Sequence, residues 1–268
     1  MKVHFIGAGP GDPDLITIRG KNHISQSPVC LYAGSLVPRD LIKDAPPNAE
    51  GYDTASMTLD EIIAIMADAF ERNIDVARIH SGDPSLYGAI GEQIRQLQNL
   101  GIPFDITPGV PAYAAAAAAL ETEFTLPGVS QSLILTRTAM QSTAMPARET
   151  LENFGRTGAT LAIHLSIRNI KKIQNDLEPY YGANCPAAIV YRATWSDQKI
   201  LRGKLSTLAK QARAAKITRT ALILIGPVLG VNQFNDSALY SPDHTHVLRP
   251  HKSLPNNPLS HLKTKSEE

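Results

Sequence analysis

Three times in the first 111 residues a short apolar run stops at a cluster of glycine and proline and gives way to a helical pattern. The runs are 3–6 before GAGPGDP at 7–13, 76–80 before SGDP at 81–84, and 104–107 before PGVP at 108–111. Runs this short read as strands, the one at 76–80 as a buried strand, and strands alternating with helices need crossover connections, so the sheet is predicted to be largely parallel. In such a sheet every strand-to-helix turn emerges at the same carboxyl edge, which is where ligands bind. Glycine lets a turn tighten and lets a ligand approach the backbone. Three such corners on one edge therefore predict a cleft.

The rest of the chain extends the pattern. A second strand is expected at 29–33, a helix at 85–100 and an alanine helix through 114–119, small enough to pack close to its neighbours. Thr58 followed by Glu61 reads as a capping box, with Ile62, Ile63, Met66 and Ala69 on the apolar helix face behind it. After a weakly periodic hinge at 121–130 come further strands at 133–136, 159–165, 187–191, 200–205 and 221–225, with helices at 167–178 and 206–215. The expected architecture is α/β, with two domains at 1–120 and 121–230, mainly parallel or mixed sheets, and the cleft between them. Residues 231–268 turn polar and read as a mobile tail. The tail holds His244, His246, His251 and His261, but the spacing matches no rigid ligand motif, and no metal is expected.

Composition narrows the function classes. The 268 residues carry a formal net charge of +1, so no surplus of cations waits for phosphates and no nucleic-acid partner is expected. No segment reaches the roughly 18 apolar residues of a membrane span, and the apolar run at the start is too short for a secretory signal. Cys30 and Cys185 lie in or beside apolar runs and form no CxxC pair. A cytoplasmic protein with buried thiols is the expectation.

The first corner is not a dinucleotide fingerprint. The third glycine of GxGxxG would fall at position 12, which is Asp, and the second strand ends Tyr32-Ala33-Gly34 without the acid that holds a ribose. A phosphate-binding P-loop is excluded because no Gly-Lys-Ser/Thr follows. Pro10 and Pro13 make the loop a stiff wall.

With those residues in view the chain resembles the tetrapyrrole (corrin/porphyrin) methylases over about residues 2–229. GAGPGDPDLIT at 7–17 and HSGDPSLYGAI at 80–90 are the general marks; LYAGSLV at 31–37, TASMTLDE at 54–61, ILTRT at 134–138 and YRATW at 191–195 are finer ones. After YRATW the family leads to expect Pro-Asp/Glu, where this chain has Ser196-Asp197-Gln198. The resemblance implies a homodimer that binds S-adenosylmethionine folded in the interdomain cleft. Its finer marks imply precorrin-4 or cobalt-precorrin-4 as acceptor, methylated at C-11. Carried over position by position, it implies cofactor contacts from Pro10, from Ser81, Gly82, Asp83 and Leu86, from Pro111 and Ala112, and from Leu165 and Ala193 in the second domain.

Methyl transfer from a sulfonium needs positioning and exclusion of water more than a nucleophilic side chain, because the ring carbon is the nucleophile. No catalytic residue is assigned, in keeping with the lack of a Ser-His-Asp or Cys-His set. The acceptor carries many carboxylates, so arginines at strand ends are trough candidates: Arg39, Arg78, Arg192 and above all Arg137. Tyr87 is expected either to stack on the ring or to pack, and Asp12 either to steer substrate or to cap the next helix. His80 reads as a wall residue or a proton carrier, and Trp195 as a core, dimer or ligand residue. Methylation at another ring carbon, or a non-catalytic tetrapyrrole carrier, stays open at this level.

Overall fold

The computed structural model describes residues 1–34, 36–139, 143–241, 244, 245 and 247, with only the backbone of Arg39 and Tyr240. His246, His251 and His261 of the polar tail lie outside the described residues. Two five-stranded sheets organise the rest. The first contains β1 (Val3–Gly7), β2 (Val29–Tyr32), β3 (Glu50–Asp53), β4 (Val76–His80) and β5 (Phe104–Thr107), ordered β3-β2-β4-β1-β5. Every pairing in it is parallel.

The apolar strands are buried on both faces, as their lack of alternation requires. On one face Val3, Phe5 and Leu31 pack under α3 (Leu59–Glu71) and α4 (Ile90–Asn99), with Ile62, Met66 and Leu97 among the contacts. On the other, Ile6, Cys30 and Ile79 meet α1 (Ile18–Gln26) and α2 (Arg39–Ile42). The capping box of α3 forms as its sequence dictates: Glu61 N–H donates to Thr58 Oγ1 at 3.3 Å and Thr58 N–H to Glu61 Oε2 at 2.7 Å.

The second sheet, ordered β6-β7-β10-β8-β9, is mixed. It comprises β6 (Leu133–Arg137), β7 (Thr160–His164), β8 (Pro186–Tyr191), β9 (Lys199–Lys204) and β10 (Ala221–Ile225). Only β6 and β7 run parallel; β10 is antiparallel to both β7 and β8, and β9 to β8. One face carries α6 (Leu151–Gly155), α7 (Ile170–Tyr181) and α8 (Leu208–Ala214), which bury Leu151, Ile173, Leu177 and Leu208 against it. The other face takes the alanine helix α5 (Ala112–Leu120): Ala115, Ala116 and Leu120 lie against Ala162, Ala188 and Leu224. Small side chains on both sides let that helix approach the sheet closely. The segment leaving the first sheet thus builds the core of the second.

Three readings from sequence are corrected. The helix expected at 85–100 begins only at Ile90, because Tyr87 (φ 57°) and Ala89 (φ 50°) are left-handed and cannot lie inside a helix. The polar strand β3 has no apolar run to announce it; it is an edge strand whose residues are half-buried or exposed. The helix expected from 167 opens as a 3-10 turn at Ile167–Asn169, and α7 proper follows. Both cysteines are buried free thiols. Among the described residues no helix is long and apolar enough to cross a membrane.

Candidate active site

Because β4, β1 and β5 are neighbours in register, Gly7 lies opposite His80 and Ile6 opposite Thr107. The three glycine corners therefore emerge side by side and are bonded to one another. Ala8 N–H donates to His80 O at 2.7 Å, Gly9 N–H to Gly82 O at 3.2 Å and Gly82 N–H to Gly9 O at 2.7 Å. The third corner is tied to the second by Gly109 N–H, which donates to Asp83 Oδ2 at 2.9 Å. A Cβ on Gly7 would collide with the Gly109 backbone, and one on Gly109 with Gly82 O. Gly82 itself sits at φ +65°, a conformation that glycine adopts without penalty. The glycines are there so that three backbones can nest.

Asp83 is the clip. Its other oxygen accepts from Ser85 N–H at 2.8 Å and from the Ser85 hydroxyl. Burial opposes its ionisation, but the hydrogen bonds from Ser85 and Gly109 outweigh that and hold the carboxyl below its ordinary range. It is an anion locked onto backbone donors.

Above the nest is a cavity of about 820 Å³ bounded by both sheets. Pro10 lines it from the first corner, Ser81, Gly82, Asp83 and Leu86 from the second, and Pro111 and Ala112 from the third. Leu165 and Ala193 line it from the second sheet, so all nine positions expected to touch a cofactor share one cavity. Leu165, just beyond β7, is 67% exposed and left-handed at φ 54°. An apolar side chain is thus held open to the cavity on a backbone conformation that costs about 1–3 kcal/mol. The LYAGSLV segment forms another wall through Gly34, Leu36 and Val37. Gly34 N–H donates to Asp53 Oδ1 at 3.0 Å, joining that segment to the turn that opens TASMTLDE.

The YRATW loop of the second sheet clasps the first corner. Trp195 Nε1–H donates to Pro10 O at 2.9 Å, and the indole lies so close to Gly11 that a Cβ there would strike the ring. Asp12 N–H donates to Thr194 Oγ1 at 2.9 Å. The residues that depart from the family's pattern brace this loop. Asp197 Oδ2 accepts from Arg192 at 2.9 Å, Gln198 Oε1 accepts from Thr194 N–H at 2.7 Å, and the Arg192 guanidinium lies 4.0 Å over the Trp195 ring. Arg192 thus borders the cavity with its charge already engaged.

Of the residues expected to meet the acceptor, Tyr87 and Arg192 line the cavity, the Tyr87 ring 5.4 Å from that of His164. Asp12 instead caps a 3-10 turn, accepting from Asp14 N–H at 2.9 Å, which is the capping alternative read from sequence. Arg137 lies off the cavity wall and donates to Thr143 O at 2.9 Å. Arg78 points inward, buried, donating to Gln93 Oε1 at 3.0 Å and Thr54 Oγ1 at 3.2 Å; burial pushes its pKa down to about 10, so it keeps its charge at neutral pH. The position of Arg39's side chain lies outside the described residues.

His80, at the end of β4, is buried and is not among the residues that line the cavity. Burial, reinforced by Arg78, lowers its pKa to about 3. His164, at the end of β7 on the cavity wall, is lowered to about 4 by burial. Both are neutral imidazoles, and the Nε2 of each is buried without a hydrogen-bond partner among the described residues. Sequence reasoning missed His164, and also Arg168 and Arg219, which line the cavity along with Arg192. The two missed arginines stand in turns outside any recognisable motif. Their one available signal was position, each a few residues from the cavity end of a strand.

Comparison with known proteins agrees with this geometry. The family model for Tetrapyrrole (Corrin/Porphyrin) Methylases matches residues 2–209. A precorrin-4 C(11)-methyltransferase of Pseudomonas aeruginosa is 54% identical, with 93% of this chain and 99% of that protein covered. A cobalt-precorrin-4 C(11)-methyltransferase of Methanocaldococcus jannaschii is 45% identical over 92% of this chain and 96% of its own length. The solved structure of a cobalamin biosynthetic enzyme, cobalt precorrin-4 methyltransferase, superposes with a TM-score of 0.83 at 41% identity, covering 86% of this chain and 96% of that one. Three nested glycine corners beneath a cavity closed by a second, mixed sheet are thus one member's version of a shared design: the chain belongs to the tetrapyrrole methylases.

Proposed function

We propose that this enzyme transfers a methyl group from S-adenosylmethionine to C-11 of precorrin-4 or cobalt-precorrin-4 during cobalamin biosynthesis, working as a cytoplasmic homodimer with lobes at 1–120 and 121–230, the last helix of the first lobe packing on the sheet of the second. The observation that carries the reading is the convergence of all nine expected cofactor positions on one cavity over the glycine nest. The residues suit the donor: glycines without side chains leave backbone groups approachable, and Leu165 and Ala193 offer an apolar face to a flat base. The bound donor supplies an electrophilic methyl group whose departure leaves a neutral thioether.

The chain's own residues then have defined tasks. Asp83 keeps the second and third corners locked, so the donor's seat is formed before binding. Trp195 and Thr194 seal the first corner against the second sheet and keep water from that side. Arg168 and Arg219 are the cations placed to receive ring carboxylates, and Tyr87 with His164 forms a neutral aromatic wall. Reactant positioning of this kind supplies about 7–11 kcal/mol in favourable cases.

The deciding experiment incubates the protein with S-adenosylmethionine and either precorrin-4 or cobalt-precorrin-4 and locates the new methyl by NMR. Methylation at C-11 is expected. A methyl at another ring carbon would overturn the position, and donor binding without any transfer would favour a carrier.

A further inference from the structure

At the amino edge of the first sheet, opposite the cleft, donors from four separate segments converge. His4 of β1 is buried, and its Nδ1 lies 2.9 Å from Asp105 Oδ1 on β5. Its Nε2 faces Asp75 Oδ2 at 4.0 Å, beyond hydrogen-bonding distance. His23, in the last turn of α1, stacks on His4 with ring centroids 3.9 Å apart and planes 15° from parallel. Ligand atoms of His4, His23 and Asp105 all fall within 4.8 Å of one another.

We propose that this cluster binds a first-row divalent metal ion of the zinc type, with His4 Nε2, His23 and Asp75 Oδ2 as ligands and Asp105 as the outer carboxylate that orients His4. Two imidazoles and a carboxylate are a donor set that zinc accepts, with a further position left to water. The His4–Asp105 bond is the carboxylate–histidine pairing that fixes a ring's tautomer and presents its other nitrogen to a metal. Two donors each about 2.0–2.2 Å from one tetrahedral ion stand about 3.4 Å apart, so the 4.0 Å gap between His4 and Asp75 has only to close slightly around the ion. The second oxygen of Asp75 is already held, accepting from Lys2 N–H at 2.6 Å, so this ligand too has its orientation set.

One movement is required. Stacked rings do not aim their in-plane lone pairs at one point, so the half-buried His23 ring must turn out of the stack. The ion takes the unprotonated imidazole of His23, as metal binding requires. Among the charges nearby, the Met1 amino group, 3.7 Å from Asp75, and Lys2 Nζ, 3.4 Å from Asp105, oppose an incoming cation, while the two aspartates attract it. Positions 4, 23, 75 and 105 share no spacing, which is why the sequence alone led to expecting no metal.

The test uses the full chain without an affinity tag, stripped with a chelator, and titrated with Zn²⁺ alone by calorimetry and thermal melting, with Mg²⁺ as control. His23→Phe keeps an aromatic ring over His4 but removes a donor; Asp75→Asn keeps an acceptor for Lys2 and weakens the oxygen ligand. Saturable zinc binding that raises the melting temperature is expected for the parent, with no effect of magnesium. Each variant should lose about tenfold or more in zinc affinity while its metal-free melting stays near the parent's. Absence of saturable binding, or variants that bind zinc as tightly as the parent (as they would if histidines elsewhere took the ion), overturns the proposal. Should His23→Phe fail to fold, Asp75→Asn decides on the same criterion.

Discussion

The indole of Trp195 donates to the carbonyl of Pro10 at 2.9 Å across 185 positions of sequence. That bond joins the loop after β8 to the first glycine corner, and the ring fills the space that a side chain at position 11 would need. The chain has one tryptophan, so its emission reports on this joint alone. Titration with S-adenosylhomocysteine is expected to change that emission saturably. Gly11→Ala should push the indole away, and Trp195→Phe should remove a bond worth about 1 kcal/mol, roughly fivefold in cofactor affinity. Cofactor affinity unchanged in both variants would mean that the joint does not shape the seat.

Asp83 serves two corners through two oxygens. In Asp83→Asn one arm becomes a donor facing an N–H group. Leaving such a donor unmet costs about 1–3 kcal/mol, which should appear as roughly tenfold weaker binding of S-adenosylhomocysteine by calorimetry, with the circular dichroism spectrum retained. Unaltered affinity would remove Asp83 from the site.

Leu165 holds a left-handed backbone with its side chain largely in solvent. Leu165→Gly should therefore relieve about 1 kcal/mol of strain and raise the melting temperature by roughly 2–4 °C. The same change strips apolar area from the cavity, so cofactor affinity should fall by about tenfold or more. A variant both less stable and equally able to bind would contradict this account of the strain.

Acid should destabilise the fold through two histidines. His80 and His164 titrate near 3 and 4 when folded, against 6.5 for the free side chain. Between those values the unfolded chain binds protons that the folded one refuses, so their contribution to stability is complete above about pH 6.5 and is lost as pH falls towards 4. Each costs about 1.4 kcal/mol per pH unit inside that window. Urea unfolding at pH 7 and pH 5 should show a smaller loss in His80→Gln and in His164→Gln than in the parent. An equal loss in all three would place the acid sensitivity elsewhere.

Much of this was legible beforehand because it is local. Apolar runs ending in Gly-Pro clusters dictate strands and sharp corners, Thr58 and Glu61 dictate a helix start, and parallel pairing carries the corners to one edge. The family marks add the positions that line the cavity. What could not be read is the direction in which a side chain leaves a strand end. Arg78 and Arg137 looked alike from their positions, yet the first turns into the interior toward Gln93 and the second toward Thr143.

Sequence by itself therefore determined where the chain bends, which runs are buried and to which family it belongs, since these follow from residue type and short-range spacing. Only the tertiary structure decided that Trp195 seals Pro10, that Asp83 clips Gly109, that α5 packs on the second sheet, and that His4, His23, Asp75 and Asp105 meet. Each of those contacts joins segments tens of residues or more apart. They depend on sheet order and on how the two sheets face each other, which no local pattern encodes.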